Sequence, residues 1–142
     1  MEKIRNEISM LMADLDTNIL KYDKLASAKY TTWKALQLIT IVTGFTTSIV
    51  VIISLVTKWT DIAKIICVFL PFLGSFAASL ISYLKPLELY IQKVNAKIEF
   101  KNLLVSSKIQ FAKCSSLDDY QNLLELIIQK IGEIENLQDK KF

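Results

Sequence analysis

This chain of 142 residues is poor in the groups that bind metals or carry out catalysis: it has no histidine, two cysteines and three glycines. Without histidine, a metal site would need cysteines, and Cys67 and Cys114 lie far apart in the sequence. The three glycines are scattered, which excludes a phosphate-cradling loop and a dinucleotide fingerprint. The adjacent acids Asp118 and Asp119 fit a helix start better than catalysis. We therefore predict no catalytic residue, no metal site and no cofactor.

Neither sign of charge is in large excess. Lys and Arg number 17 against 14 Asp and Glu, so the balance does not predict direct binding of nucleic acid. Charge is instead missing from residues 35–57 and 65–84. These stretches of 23 and 20 residues are each long enough to cross the roughly 30 Å hydrocarbon core of a bilayer as a helix. The alternative, two helices buried in a soluble core, needs more surrounding chain than this protein has.

The residues beside the two stretches favour a transmembrane hairpin. Aromatic side chains suited to the membrane interface lie at the ends of the stretches, namely Tyr30, Trp33, Trp59 and Tyr83. Four lysines precede the first stretch within a short distance and four follow the second, whereas the external loop at 58–64 holds two. By the positive-inside rule, both termini are expected in the cytoplasm.

Outside these stretches the sequence predicts amphipathic helices over 1–34, 85–113 and 116–142. Their apolar stripes are Ile4, Ile8, Leu11, Leu15, Asn18, Tyr22 and Leu25 in the first; Leu87, Ile91, Val94, Ile98, Val105, Ile109 and Ala112 in the second; Tyr120, Leu123, Leu124, Ile127, Ile128, Ile131 and Ile134 in the third. A capping-box-like pattern around Ser116 predicts the start of the last helix. The expected fold class is therefore all-α, a two-span transmembrane hairpin with long cytoplasmic amphipathic helices that pack together or against other subunits.

The polar side chains inside the two uncharged stretches are small. They lie near one face of each predicted helix: Thr40, Thr43, Gly44, Thr47 and Ser54 in the first, and Gly74, Ser75, Ala78, Ser79 and Ser82 in the second. Two interpretations stay open, because such residues let membrane helices pack closely and, in an oligomer, the same stripe would line a weakly polar pore. Pro71 predicts a kink in the second helix.

The exit from the second stretch carries a short motif, formed by Lys85, Pro86, Glu88 and Tyr90. After it come Ala96, Lys97, Glu99, Phe100 and Leu103. In this motif, and in the basic and aromatic approach to the first stretch, residues 20–113 resemble the SLATT family. That name denotes two-transmembrane effector domains associated with nucleotide-synthesising and nucleotide-sensing partners in bacterial defence. Where the family pattern usually has arginine and tryptophan, this chain has Lys93, Lys97 and Tyr90.

The resemblance implies an effector of an anti-phage system that oligomerises in the bacterial inner membrane, forms a pore or perturbs the bilayer, and causes growth arrest or cell death. The implied partners are membrane lipid, further copies of the chain and an operon-encoded sensor, nucleotide synthase or reverse transcriptase. Lys85, Pro86, Glu88 and Tyr90 would couple the spans to the cytoplasmic helices. Two other interpretations stay open, a membrane-anchored coiled-coil scaffold and a holin-like lysis protein.

Overall fold

The computed structural model describes residues 2–56 and 61–139, and these form four helices. They are α1 (Glu2–Val56), α2 (Asp61–Leu84), α3 (Pro86–Lys113) and α4 (Leu117–Asp139). Neither of the two described ranges contains a strand, so the predicted all-α class is confirmed.

The predicted amphipathic helix 1–34 and the first uncharged stretch form one continuous helix, α1, as the absence of glycine and proline before Gly44 allows. The start of the second apolar helix differs from the expected one. α2 begins at Asp61, so residues 61–64, which were expected in the loop, are helical. The rest of the expected loop, including Trp59, lies outside the described residues.

The chain divides into two compact units. The bundle unit comprises Met1–Ser27 and Tyr90–Phe142, and the hairpin unit comprises Ala28–Leu89. α1 and α3 therefore each contribute residues to both units, while α2 belongs to the hairpin unit and α4 to the bundle unit.

The bundle unit has a buried core to which three helices contribute. Tyr22 of α1 stacks on Phe100 of α3 with ring centroids 5.3 Å apart, and Lys97 of α3 donates to Asp23 of α1 at 2.7 Å. At the other end of α3, the rings of Phe111 and Tyr120 meet edge to face. The remaining core side chains include Ile8, Leu15, Leu103, Leu104, Leu123, Ile127 and Ile134. Each helix thus buries its apolar face against the other two.

Two of the three predicted stripes form this core, and the third does not. Ile8 and Leu15 of α1 and Ile127 of α4 are fully buried, which confirms most of these two stripes, but the predicted members Leu25 of α1 and Ile128 of α4 are 39% and 55% exposed. The stripe predicted for α3 is wrong as a core face, because Ile91, Ile98, Val105 and Ile109 are about half exposed. α3 instead buries the opposite face, which carries Ala96, Phe100, Leu103, Leu104 and Ser107. The Ser107 hydroxyl has no hydrogen-bond partner among the described residues, a cost that the packing of its neighbours offsets.

A single residue separates α2 from α3. Lys85 has φ of 42°, in the left-handed region that costs a residue with a side chain about 1–2 kcal/mol. Its N–H donates to the Ile81 carbonyl at 3.0 Å and closes α2, while its carbonyl accepts from the Leu89 N–H at 3.1 Å and opens α3. Pro86 follows as the first helical residue, where its missing N–H costs no hydrogen bond. Lys85 and Pro86 therefore make a defined corner between the two helices.

Candidate functional site

The hairpin unit carries its apolar side chains on the outside. α1 and the helical stretch that begins at Lys64 are long and apolar enough to cross a membrane, and the most apolar 18-residue segments of the two have mean hydropathies of 2.1 and 2.2. Only 6% of each 18-residue segment is buried, whereas the core helix of a soluble protein is mostly buried. Phe45, Val68 and Phe72 are typical, each more than three-fifths exposed. Contiguous apolar surface of this extent marks a site of contact with membrane or protein.

The two apolar helices meet at a close contact between Thr43 and Gly74. Thr43 is 7% exposed, and a Cβ placed on Gly74 would lie 2.6 Å from the Thr43 Oγ1 atom. Ala77, one turn further along α2, is also buried. Only glycine allows such an approach, so the backbone of α2 lies directly against the threonine side chain.

The threonine hydroxyls of α1 find acceptors inside their own helix. Thr43 Oγ1 donates to the Ile39 carbonyl at 2.8 Å, Thr40 Oγ1 to the Leu36 carbonyl at 3.0 Å, and Thr47 Oγ1 to the Thr43 carbonyl at 2.7 Å. A hydroxyl paired in this way can enter a dry helix contact without an unmade hydrogen bond. Close packing of the helices therefore leaves none of the hydroxyls of Thr40, Thr43 and Thr47 without a hydrogen-bond acceptor.

Most of the other small residues predicted for this site are exposed. This set comprises Gly44, Ser75, Ala78, Ser79 and Ser82. Ser79 Oγ donates to the Ser75 carbonyl at 2.8 Å, so α2 also pairs a hydroxyl internally. The Ser54 side chain lies outside the described residues, and Pro71 lies within α2 without ending it. The structure thus divides the candidates into a contact pair, Thr43 with Gly74, and an outer polar stripe on α2.

Ala77 is a contact residue that the sequence did not single out. Its spacing of three from Gly74 was the available signal, but alanine occurs on every face of apolar helices.

Three of the four predicted interface residues, Tyr30, Trp33 and Tyr83, lie at one end of the hairpin unit, and the fourth, Trp59, lies outside the described residues. The rings of Tyr30 and Trp33 lie 5.7 Å apart, and Tyr83 is 85% exposed. Trp33 shares a cavity of about 290 Å³ with the corner between α2 and α3, including Ser82, Lys85, Pro86 and Glu88. Since Thr43 meets Gly74 and Trp33 meets residues around Lys85, α1 and α2 run antiparallel in this unit. Tyr90, the last residue of the predicted coupling motif, belongs to the bundle unit.

Within the bundle unit, titratable groups cluster where α4 begins. The backbone N–H groups of Ser116 and Ser115 donate to Asp119 Oδ2 at 2.9 and 3.1 Å, and they hold the pKa of this carboxyl below its usual range. The pKa of the neighbouring Cys114 thiol is raised by burial and by the Asp119 charge. These bonds cap α4, as the sequence predicted. The described residues contain no group of three or more His, Cys, Asp or Glu side chains that could hold a metal ion.

Comparisons with family models, with curated proteins and with solved structures give no match to this chain.

Proposed function

We propose that this chain is a two-span protein of the bacterial inner membrane, with both termini in the cytoplasm, that acts as the membrane effector of an anti-phage defence system. In this proposal the hairpin unit inserts into the bilayer and oligomerises to form a pore or perturb the membrane. A signal or partner protein from the same operon activates it, and growth arrest or cell death follows.

The membrane part of the proposal rests on the placement of large apolar side chains on the outside of the hairpin unit and small residues at its helix contact. Its helices touch through Thr43 and Gly74, and their large apolar side chains point outward. In water, such a surface would favour aggregation, whereas lipid chains solvate it. The uncharged sequence of both stretches and the interfacial Trp33 agree with this placement.

The defence role is supported by the resemblance at Lys85, Pro86, Glu88 and Tyr90. The corner that Lys85 and Pro86 form joins the hairpin helix α2 to α3, which continues into the bundle unit. A change in the bundle unit would reach the hairpin unit through this corner and through α1, which is also continuous between the two units. The outer polar stripe of α2, with Ser75 and Ser79, supplies the residues proposed to line the pore.

The test is depolarisation of bacteria that express the chain together with its neighbouring genes, followed with a potential-sensitive dye. Wild type is expected to depolarise the cells, and Ser75→Leu is expected to abolish the effect without lowering the amount of protein in the membrane. Phe72→Leu is the matched control on the same helix and should retain it, because Phe72 is exposed on the apolar surface. Unchanged potential and growth with the wild-type chain would contradict the effector role.

One observation favours a membrane-anchored scaffold as a second candidate. The exposed stripe of α3 places Ile91, Ile98 and Val105 seven residues apart, which is the spacing of a coiled-coil surface. If the chain is a scaffold, Val105→Glu should release it from its complexes while membrane potential stays normal throughout. If it is an effector, the potential falls in cells that express the wild-type chain.

A further inference from the structure

We infer that the cavity at the corner of the hairpin unit binds the phosphate headgroup of an anionic phospholipid, an inference that rests on the proposed membrane placement. The cavity of about 290 Å³ is lined by Trp33 from α1 and by Ile81, Ser82, Lys85, Pro86 and Glu88 around the end of α2. Both helices thus contribute side chains to one opening. It lies where the two uncharged stretches have their charged ends, next to Lys34 and Lys85.

The polar groups around the cavity are mainly donors. Among the residues that the structure describes, neither the Trp33 indole N–H nor the Ser82 hydroxyl takes part in a hydrogen bond or ion pair, and the Lys85 ammonium contacts only Glu88. An indole N–H can only donate, an ammonium can only donate, and a hydroxyl can do so. A phosphodiester anion has only acceptor oxygens, and it therefore matches this set.

The acid at the cavity does not cancel its positive charge. Glu88 lies 3.5 Å from the Lys85 Nζ atom, and the two side chains are 70% and 62% exposed, so the pair is long and hydrated. Lys29 and Lys34 lie one turn or less from Trp33 on α1. No acidic residue occurs between residues 28 and 56, so the charged residues in the sequence at this end of the hairpin unit are Glu88 and the lysines Lys29, Lys34 and Lys85.

The remaining lining fits the rest of a lipid headgroup region. Ile81 and the fully buried Pro86 give the cavity an apolar wall on the side of α2 and α3. Its volume holds a phosphate and part of a glycerol but not a whole lipid, so the acyl chains would extend along the exposed apolar surface of the hairpin unit. Polar donors beside apolar walls are what an interfacial lipid requires.

The experiment uses the full-length chain with Trp59→Phe, which leaves Trp33 as the only tryptophan. The protein is placed in nanodiscs of phosphatidylcholine with increasing phosphatidylglycerol, and Trp33 fluorescence is recorded. A second arm uses phosphatidylcholine alone with inorganic phosphate. We expect a saturable spectral change with phosphatidylglycerol and none with inorganic phosphate. The same change with phosphate alone would overturn the lipid assignment.

Three variants separate the cavity from general surface charge. Lys85→Gln removes a charge-assisted contact and should raise the phosphatidylglycerol fraction needed for half the change by about tenfold. Ser82→Leu fills the cavity with every lysine retained and should abolish saturation. Lys34→Gln removes the same charge outside the cavity lining and should shift the midpoint by roughly twofold at most. Equal effects of Lys34→Gln and Lys85→Gln, or normal saturation of Ser82→Leu, would overturn the inference.

The outcomes also separate this inference from the proposed function. Wild-type chain that is not recovered with the nanodisc bilayer would contradict the membrane placement itself. Trp59→Phe chain that is recovered in the bilayer but gives no saturable change in Trp33 fluorescence would overturn only the lipid site.

Discussion

The bundle unit buries large apolar side chains in its core, whereas the hairpin unit carries such side chains on its outside. In the bundle unit, Phe100 is fully buried between helices and the charged side chains face outward. In the hairpin unit, Phe45 is 70% exposed, and the closest helix contact is made by a threonine and a glycine. The bundle unit has a closed apolar core, as a protein in water does.

The contrast identifies two different driving forces for helix association. Burial of apolar area holds the bundle unit together, because each of its three helices buries one apolar face in the shared core. Helices that are apolar all round gain little from this effect in lipid, so close backbone approach and internally paired hydroxyls take its place. Thr43 and Gly74 in the hairpin unit show this close backbone approach, whereas Tyr22 and Phe100 in the bundle unit show the burial of large apolar side chains.

The largest difference in stability between the two units is expected when one phenylalanine in each is replaced by alanine. Phe100→Ala should lower the free energy of unfolding of the bundle unit by about 3–5 kcal/mol, because it leaves a cavity in a closed core. Phe45→Ala removes the same atoms from an exposed position and should change the free energy of unfolding by less than about 0.5 kcal/mol. Denaturant unfolding of the reconstituted protein, followed by circular dichroism, measures both. Equal losses would show that Phe45 also lies in a protein core.

Substitution of two isoleucines of similar exposure, one in each unit, tests whether that unit is surrounded by lipid or by water. Ile49 is 55% exposed in the hairpin unit, and Ile109 is 53% exposed in the bundle unit. Ile49→Lys should oppose membrane insertion by about 2.5–3.5 kcal/mol, while Ile109→Lys, in water, should change stability by less than about 0.5 kcal/mol. The fraction of protein that resists alkaline extraction from membranes is the measurement. If both variants insert like the wild type, the hairpin unit does not lie in the hydrocarbon.

Helix class and two of the three core faces could be predicted from the sequence because they depend on periodicity alone. The stripe of α1 through Ile8 and Leu15 and that of α4 through Ile127 are the most apolar faces of their helices, so only one solution exists. α3 carries apolar residues on two opposite faces. The stripe through Ile98 was predicted as the core face because its β-branched residues recur regularly. The face that is in fact buried mixes Phe100 with the small residues Ala96 and Ser107.

The candidate site was predictable in composition but not in its pairing. Threonines near one face of α1, and the pairs Gly74 with Ala78 and Ser75 with Ser79 in α2, indicated close packing in both apolar helices. Which glycine meets which threonine depends on the register between α1 and α2, and periodicity within a single helix carries no information about register. Gly44 and Gly74 look alike in sequence, yet only Gly74 lies against a neighbouring side chain. The cavity beside Trp33 depends on the same register.

This difference between the two glycines gives a sharper test of how the hairpin helices associate. Gly74→Ala places a Cβ 2.6 Å from the Thr43 Oγ1 atom and should destabilise the hairpin unit by about 1–3 kcal/mol, because the Thr43 side chain or one of the two helices must move. Gly44→Ala meets no atom within 4 Å and should be neutral or slightly stabilising. Thermal unfolding of the reconstituted protein measures the two. Thr43→Ala combined with Gly74→Ala should recover most of the loss, and an additive result would contradict the direct contact.

The smallest effect expected is a pH dependence confined to the bundle unit, at the start of α4. Hydrogen bonds from Ser116 and Ser115 lower the pKa of Asp119 in the folded protein, so the folded state favours the charged carboxylate. Its contribution is complete above the ordinary pKa of an aspartate and is lost as pH falls through the lowered pKa. The protection of the amides in the first turn of α4 against hydrogen exchange, measured relative to the intrinsic exchange rate at each pH, should therefore fall in acid, and Asp119→Asn should remove that change. Asp118→Asn is the matched control, since Asp118 accepts none of these bonds, and it should keep the response. Persistence of the full response in Asp119→Asn would assign it to another group, whereas its loss there alone would show that this end of the bundle unit is held by capping, as in water-exposed helices.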